Sequence, residues 1–319
     1  MKAAVVSNFE KAPAHGDFRD PVAESGEVLV RVGAAALSRL VRGQASGQHY
    51  SSGTNLPFVP GVDGVGRLPD GSRVYFAFPQ APFGSMAELT AVKRSFCVAL
   101  PDDLEDVTAA GTANPGMSSW VALMERARFV AGETVLINGA TGVSGRLAIQ
   151  IAKYLGASFV IATGRNTASV EELPSLGADA VIALDQPTER LTEVFRRTIE
   201  ERGVNVILDY LWGPSAESLI AAVVGHARGE QAPLIRYVQI GSMAGPTIAM
   251  PAEALRSSGL ELMGSGLGSV SNEALVRNIG EMMKAIVPGG LRVQTDAVPL
   301  VQVGSAWNGK TADRVVFTM

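Results

Sequence analysis

Residues 134–145 read Thr134-Val135-Leu136-Ile137-Asn138-Gly139-Ala140-Thr141-Gly142-Val143-Ser144-Gly145. The first five form an apolar run of strand length. Three glycines follow at intervals of three. The chain then continues RLAIQIAKYLGA, with apolar positions at helical spacing. A strand that runs into a glycine turn and then a helix is the setting of a dinucleotide site. Glycine permits the tight turn and lets backbone N–H groups approach a pyrophosphate. The helix N-terminus adds the positive end of its dipole. The spacing is GxxGxxG rather than GxGxxG, so the motif alone also fits a merely tight βα turn. The pattern on either side decides between the two.

Outward from this turn, strands and helices alternate. Strand patterns fall at 134–138, 158–163, 180–183, 204–208, 235–240 and 260–264. Helical patterns fall between them, at 143–155, 168–176, 188–201, 214–224 and 251–257. Six strands with crossover helices predict an α/β fold with a doubly wound, six-stranded parallel sheet. A longer helix over 271–287 ends at Pro288-Gly289-Gly290. The tail has strand patterns around 291–298 and 314–318 and should return to the N-terminal domain. The first hundred residues have a different texture. EVLVRVGAAAL (27–37), RVYFAF (73–78) and SMAELTAV (85–92) are strand candidates between Gly/Pro-rich pieces. They predict a mostly antiparallel, partly barrel-like unit. From residue 105 the chain reads as helix, with a break expected at Pro115-Gly116. The expected division is residues 1–112 with 288–319 as one domain and 113–287 as the dinucleotide-binding domain.

Composition agrees with this outline. A chain of 319 residues exceeds what one core usually serves, and 47% hydrophobic against 18% charged residues excludes a largely disordered chain. The net charge of -4 lacks the basic excess that nucleic-acid binders need, so no nucleic-acid partner is expected. Cys97 is the one cysteine, which excludes an internal disulfide and a cysteine-built zinc site. His15, His49 and His226 are scattered, without a paired spacing, and no metal site is expected. The N-terminal stretch turns polar too soon for a signal peptide, and no long apolar run suggests a membrane span. The expectation is a cytoplasmic protein without a membrane partner.

The second strand of the sheet bears on the cofactor. NAD-specific sites place Asp or Glu there to accept from the ribose 2′-hydroxyl. Here Thr163-Gly164-Arg165-Asn166 follows, with neither acid. Arg165 can stack on adenine and pair with a 2′-phosphate, which favours NADPH; a solvated surface arginine is the other reading. The turn residues Gly139, Ala140, Thr141, Gly142, Val143 and Gly145 are the cofactor cradle. Ligands of such sheets lie at the carboxyl ends of the strands. Leu211, Gly241, Ser242, Met243, Gly264 and Gly266 fall there and are further candidates.

VLINGATGVSGRLAIQIAKYLGA, with LPFVPGVDGVGRL (56–68) upstream, GSMAG (241–245) and RVVF (314–317), resembles the medium-chain dehydrogenase/reductase superfamily. It is most similar to the zinc-independent quinone oxidoreductase branch, over nearly the whole chain. The resemblance implies a Rossmann domain beside a GroES-like catalytic domain, and a homodimer joined through sheet edges. It aligns the zinc-ligand positions of alcohol dehydrogenases with Ala35, Val62-Asp63 and Pro115, of which Ala, Val and Pro cannot ligate. An Asn that quinone reductases often carry near the nicotinamide is absent from the Ala34–Arg42 stretch, where Ser38 is the only small hydroxyl. Ser118 sits where family members often touch nicotinamide. Lys310 and Arg314 admit a phosphate contact or a plain charged surface.

The implied reaction is hydride transfer from NADPH to an electrophilic small molecule, a quinone or a conjugated enone. Catalysis then rests on positioning and on stabilising the developing oxyanion. Tyr50, in Gln48-His49-Tyr50, is the candidate catalytic residue: with a usual pKa of about 10, it donates a hydrogen bond at neutral pH. A loop tyrosine packed by its ring is the alternative. His49 and Arg42 fit either a site or a solvated surface. Asp63 reads as structural, accepting local N–H bonds in its glycine-rich segment. Cys97 reads as a small buried hydrophobe. Two other functions compete: an NADPH-binding sensor or structural protein with little turnover, and an enoyl-thioester reductase.

Overall fold

A computed structural model describes residues 1–49, 52–165, 167–224, 232–309 and 313–319, with 167 and 168 described by backbone alone. The first part contains strands β1 (Lys2–Val5), β2 (Ala14–Asp17) and β3 (Glu27–Ala36), helix α1 (Arg39–Ala45), then β4 (Asp63–Arg67), β5 (Arg73–Ala77), β6 (Leu89–Lys93) and β7 (Cys97–Ala99). Strand β3 alternates apolar residues along the pleat and is the hub: it pairs antiparallel with both β4 and β6. Ser38 caps α1 by accepting from the Val41 N–H at 3.1 Å. Helix α2 (Asp106–Val121) runs through Pro115 without the break expected at Pro115-Gly116. Proline removes one backbone donor but did not end this helix, whose alanines Ala109, Ala110 and Ala113 are buried.

Strands β8 (Thr134–Asn138), β9 (Phe159–Gly164), β10 (Ala180–Ala183), β11 (Val204–Asp209), β12 (Ile235–Gln239) and β13 (Leu260–Gly264) form the six-stranded sheet. Every pairing is parallel, in the order β10-β9-β8-β11-β12-β13. This is the doubly wound order, with its switch point between β8 and β11. Helices α3 (Val143–Tyr154), α4 (Thr167–Glu171), α5 (Thr188–Arg202), α6 (Gly213–Val224) and α7 (Glu253–Arg256) lie in the crossovers. One face packs Leu136, Ile161 and Ile207 against Phe195, Ile199, Leu219 and Ile220 of α5 and α6. These strands are apolar on both faces, as a sheet covered on both sides requires.

The tail contains α8 (Asn272–Ile286), β14 (Thr295–Pro299), α9 (Val303–Ala306) and β15 (Arg314–Thr318). β15 pairs antiparallel with β3 and parallel with β14, so the tail returns to the N-terminal sheet as expected. Phe317, Trp307 and Leu300 fill a core with Ala35, Val41 and Val59. The chain divides into two compact units, Met1–Asn114 with Asn272–Met319, and Pro115–Ser271. Helix α8 is thus grouped with the first unit, whereas the sequence reading placed it in the second. Gly280 explains the difference: a Cβ there would lie 2.9 Å from Val98 of β7, so α8 sits close on this sheet.

Candidate functional site

Strand β8 ends at Asn138, and the chain turns at Gly139 with φ +93. A Cβ on Gly139 would lie 2.7 Å from Cγ of Leu211. A Cβ on Gly145 would lie 2.5 Å from the Gly139 oxygen, so this glycine lets α3 press against the turn. At Gly142 a Cβ would meet nothing within 4 Å: the space over the turn is open. Gly142 is also the N-cap of α3 and offers no side-chain cap, which leaves the first helical N–H groups for another acceptor. The neighbouring strand braces the turn. Ala140 N donates to the Thr163 carbonyl at 2.8 Å, and a Cβ on Gly164 would lie 2.4 Å from Thr141 Cγ2.

Beneath the turn lies a buried polar network that the sequence reading did not single out. Thr163 Oγ1 accepts from Gly139 N at 3.0 Å and donates to Asn138 Oδ1 at 2.9 Å. Asn138 Nδ2 donates to Asp209 Oδ1 at 2.8 Å and to Ser215 Oγ at 3.0 Å. The Asp209 carboxylate also accepts from Tyr237 Oη at 2.8 Å, Leu211 N at 2.9 Å and Trp212 N at 3.1 Å. Burial raises the Asp209 carboxyl above its ordinary value, and these hydrogen bonds oppose the rise. Burial and the Asp209 charge hold Tyr237 well above the usual phenol range, so it stays a donor. The network fixes the turn after β11, where Trp212 takes the left-handed φ of +58. That turn carries Leu211 over Gly139. The available signal was polar residues, Asn138 and Asp209, ending two otherwise apolar strands.

The other candidates fall into place around this frame. Ser118 Oγ donates to the Pro115 carbonyl at 2.7 Å and lies 3.2 Å from Tyr210 Oη. Burial pushes the Tyr210 phenol up to about 12, against hydrogen bonds from Ser118 and Ser119. A Cβ on Gly241 would lie 2.6 Å from the Tyr210 oxygen. Ser242 and Met243 are exposed. The Gly264 carbonyl accepts from Arg126 Nε at 2.8 Å, and Gly266 N donates to Ser269 Oγ at 2.9 Å. Gly264 and Gly266 both face open space. Arg165 is exposed directly after β9. Tyr50, Asn166 and Lys310 lie outside the described residues.

In the first unit, Asp63 departs from its expected role. Its carboxylate accepts from Tyr75 Oη at 3.0 Å, on the neighbouring strand, rather than from local N–H groups. Asp63 opens β4 and sits opposite Ala77, two positions along β5 from Tyr75; strand pairing therefore supplies the donor that the glycine-rich segment does not. Burial raises the Asp63 carboxyl to about 6, opposed by Arg314 and the Tyr75 bond. Cys97 is only half-buried, and burial pushes its thiol up. Its strand β7 is the short edge strand beside β5, which leaves Cys97 partly open. Ala35 is core, and Pro115 lies within α2. Among the described residues, no three of His, Cys, Asp and Glu converge on a point that could hold a metal. The donor set does not fit a zinc centre.

The open-topped glycine turn, the uncapped helix and the switch-point position fit a dinucleotide. These features define the second unit as a nucleotide-binding α/β domain of the dehydrogenase type. The Zinc-binding dehydrogenase family model matches residues 144–285. A probable NADPH-dependent quinone reductase of Emericella nidulans is 28% identical, over 96% of each chain. A chloroplastic NADPH-dependent alkenal/one oxidoreductase of Arabidopsis thaliana is 34% identical over 61% of this chain, which spans 54% of that protein. A mycobacterial quinone oxidoreductase structure superposes with a TM-score of 0.86 at 22% identity, covering 100% of each chain. A Thermus thermophilus quinone oxidoreductase, solved also with NADPH, gives 0.78 at 24% identity, again over 100% of each chain. The chain belongs to the medium-chain dehydrogenase/reductase superfamily.

Proposed function

We propose that this protein is an NADPH-dependent, zinc-independent oxidoreductase that delivers hydride to a quinone or a conjugated enone. The observation that carries the reading is the cradle at Gly139–Gly145, open above Gly142 and uncapped at α3. Bound NADPH would supply the hydride; the chain supplies binding, orientation and polar stabilisation. In this reading, the α3 N-terminus and the turn amides take the pyrophosphate. Arg165 takes the 2′-phosphate, with Thr163, Gly164 and Asn166 completing that end. Leu211, Gly241, Ser242, Met243, Gly264 and Gly266 flank the rest of the cofactor, and Ser118 its nicotinamide. Tyr50 donates to the acceptor oxygen as negative charge develops there. The unit Pro115–Ser271 is then the cofactor domain and the first unit the substrate domain. The quinone and enone activities named for the fungal and plant relatives support the acceptor class.

A second reading, an enoyl-thioester reductase, is favoured by one further likeness. A trans-enoyl reductase of Aspergillus terreus is 28% identical over 59% of this chain. A polyketide synthase of Mycobacterium tuberculosis is 30% identical over 76% of it. Acceptor-dependent NADPH oxidation with 1,4-benzoquinone, an alkyl enone and crotonyl-CoA separates the two. Turnover with the first two and little with the thioester supports the first reading. Turnover with the thioester alone transfers the function to the second. The protein is further proposed to be a homodimer through the edge strand β13, which pairs only with β12 and exposes Leu262. Sedimentation at the monomer mass would contradict it. No described helix is long and apolar enough to cross a membrane.

A further inference from the structure

Arg314 opens β15, in register with Thr295 of β14. The next residue, Val315, accepts from Leu37 N at 2.9 Å, which sets Arg314 beside Ser38 at the start of α1. Its guanidinium has an unusual inventory. Nε and Nη2 are both buried, and neither has a hydrogen-bond partner among the described residues. These two nitrogens form one edge of the planar fork, the edge that grips a carboxylate with two parallel N–H bonds. Buried donors are nearly always paired, because an unpaired one carries its full desolvation cost. Arg236, also largely buried, shows the usual solution: its Nη1 donates to the Ala127 carbonyl at 2.6 Å and its Nη2 pairs with Glu133.

The charges around Arg314 do not settle it either. Asp63 and Arg42 are the charged groups that act on it most. Asp63 acts through space; its carboxylate is engaged by Tyr75. Arg42 lies one turn into α1, with Arg39 adding a like charge. Two guanidinium groups thus face one carboxylate.

We propose that the Nε/Nη2 edge of Arg314, assisted by Arg42, receives an oxyanion, foremost a carboxylate, carried by the acceptor substrate. This rests on the reductase reading and narrows its acceptors to anionic ones. The cofactor's phosphates already have donors in the other unit, at the glycine turn and Arg165. The arginines at issue belong wholly to the first unit.

The test uses two acceptors that differ by one group, 4-phenylbut-3-en-2-one and its 4-carboxyphenyl analogue, with the full-length protein. The expected result is at least a tenfold preference in kcat/KM for the carboxylated enone, expressed in KM. Arg314→Gln and Arg42→Gln should each reduce that preference, Arg314→Gln by at least tenfold. Calorimetric titration of the carboxylated enone into cofactor-free protein should show binding that Arg314→Gln weakens by the same factor. Equal use of both acceptors would overturn the proposal. So would a preference unchanged in both variants, or a loss confined to NADPH affinity, which would give the arginines to the cofactor. If Arg314→Gln does not fold, the exposed Arg42 carries the comparison. If neither acceptor is reduced, the reductase reading fails, and the calorimetric titration decides the oxyanion site alone.

Discussion

Gly142 and Gly145 are three residues apart and do different work. A methyl group at 145 would drive into the Gly139 oxygen at 2.5 Å, so Gly145→Ala should cost about 2 kcal/mol of stability and be read as a lower denaturation midpoint. A methyl at 142 meets no protein atom, so Gly142→Ala should fold with near wild-type stability. It should still weaken NADPH at least tenfold, because the methyl enters the space proposed for phosphate. Fluorescence titration beside a urea melt separates these outcomes. Asp63 makes a different prediction. Its folded pKa of about 6 exceeds the unfolded value near 3.8, so the folded state binds more protons between them. This residue's contribution to stability is fully present below about pH 4 and is lost as pH rises towards about 6. Asp63→Asn keeps an acceptor for Tyr75 and removes that loss. Relative to wild type, the variant should gain stability between pH 4 and 6 and hold the gain above; a constant difference across that range would refute this account.

At the scale of elements, the second unit was legible because its signals are local. Strands 134–138, 180–183 and 260–264 match the sequence expectation to the residue, and the remaining sheet strands differ by one residue at one or both ends. Apolar runs, glycine turns and helical spacing are written within short windows. The first unit was less legible. β4 (Asp63–Arg67) has the sequence DGVGR, which reads as a turn. It is a strand because β3 and β5 pair on either side of it, and because Gly64 and Gly66 let them approach closely: added Cβ atoms would lie 2.9 Å from the Ala34 oxygen and 2.3 Å from the Arg31 oxygen. The Asp209 network was likewise invisible, since Asn138, Thr163, Asp209 and Tyr237 meet only across four adjacent strands. Its removal is a sharp test. Asp209→Ala leaves the Tyr237 hydroxyl, the Asn138 amide and two backbone N–H groups without their acceptor, so it should cost about 3 kcal/mol or more. A loss below about 1 kcal/mol in urea unfolding would mean that the turn holds itself.

Across the whole molecule, one covalent path leaves the first sheet, builds a complete parallel sheet, and returns to pair β15 with β3. The same path strips the zinc chemistry of related enzymes: the donors are gone, while the glycine turn and its bracing are intact. The account therefore stands on recognition of a phosphorylated dinucleotide. Because no acid follows β9 and Arg165 does, Arg165→Glu should invert the preference between NADPH and NADH. The most direct measurement is a titration of the wild-type protein with NADPH and with NADH, followed by nicotinamide fluorescence. The account predicts NADPH affinity at least tenfold above NADH, with oxidation of bound NADPH on adding a quinone or an enone. Equal affinity, tighter NADH, or no binding of either would contradict it.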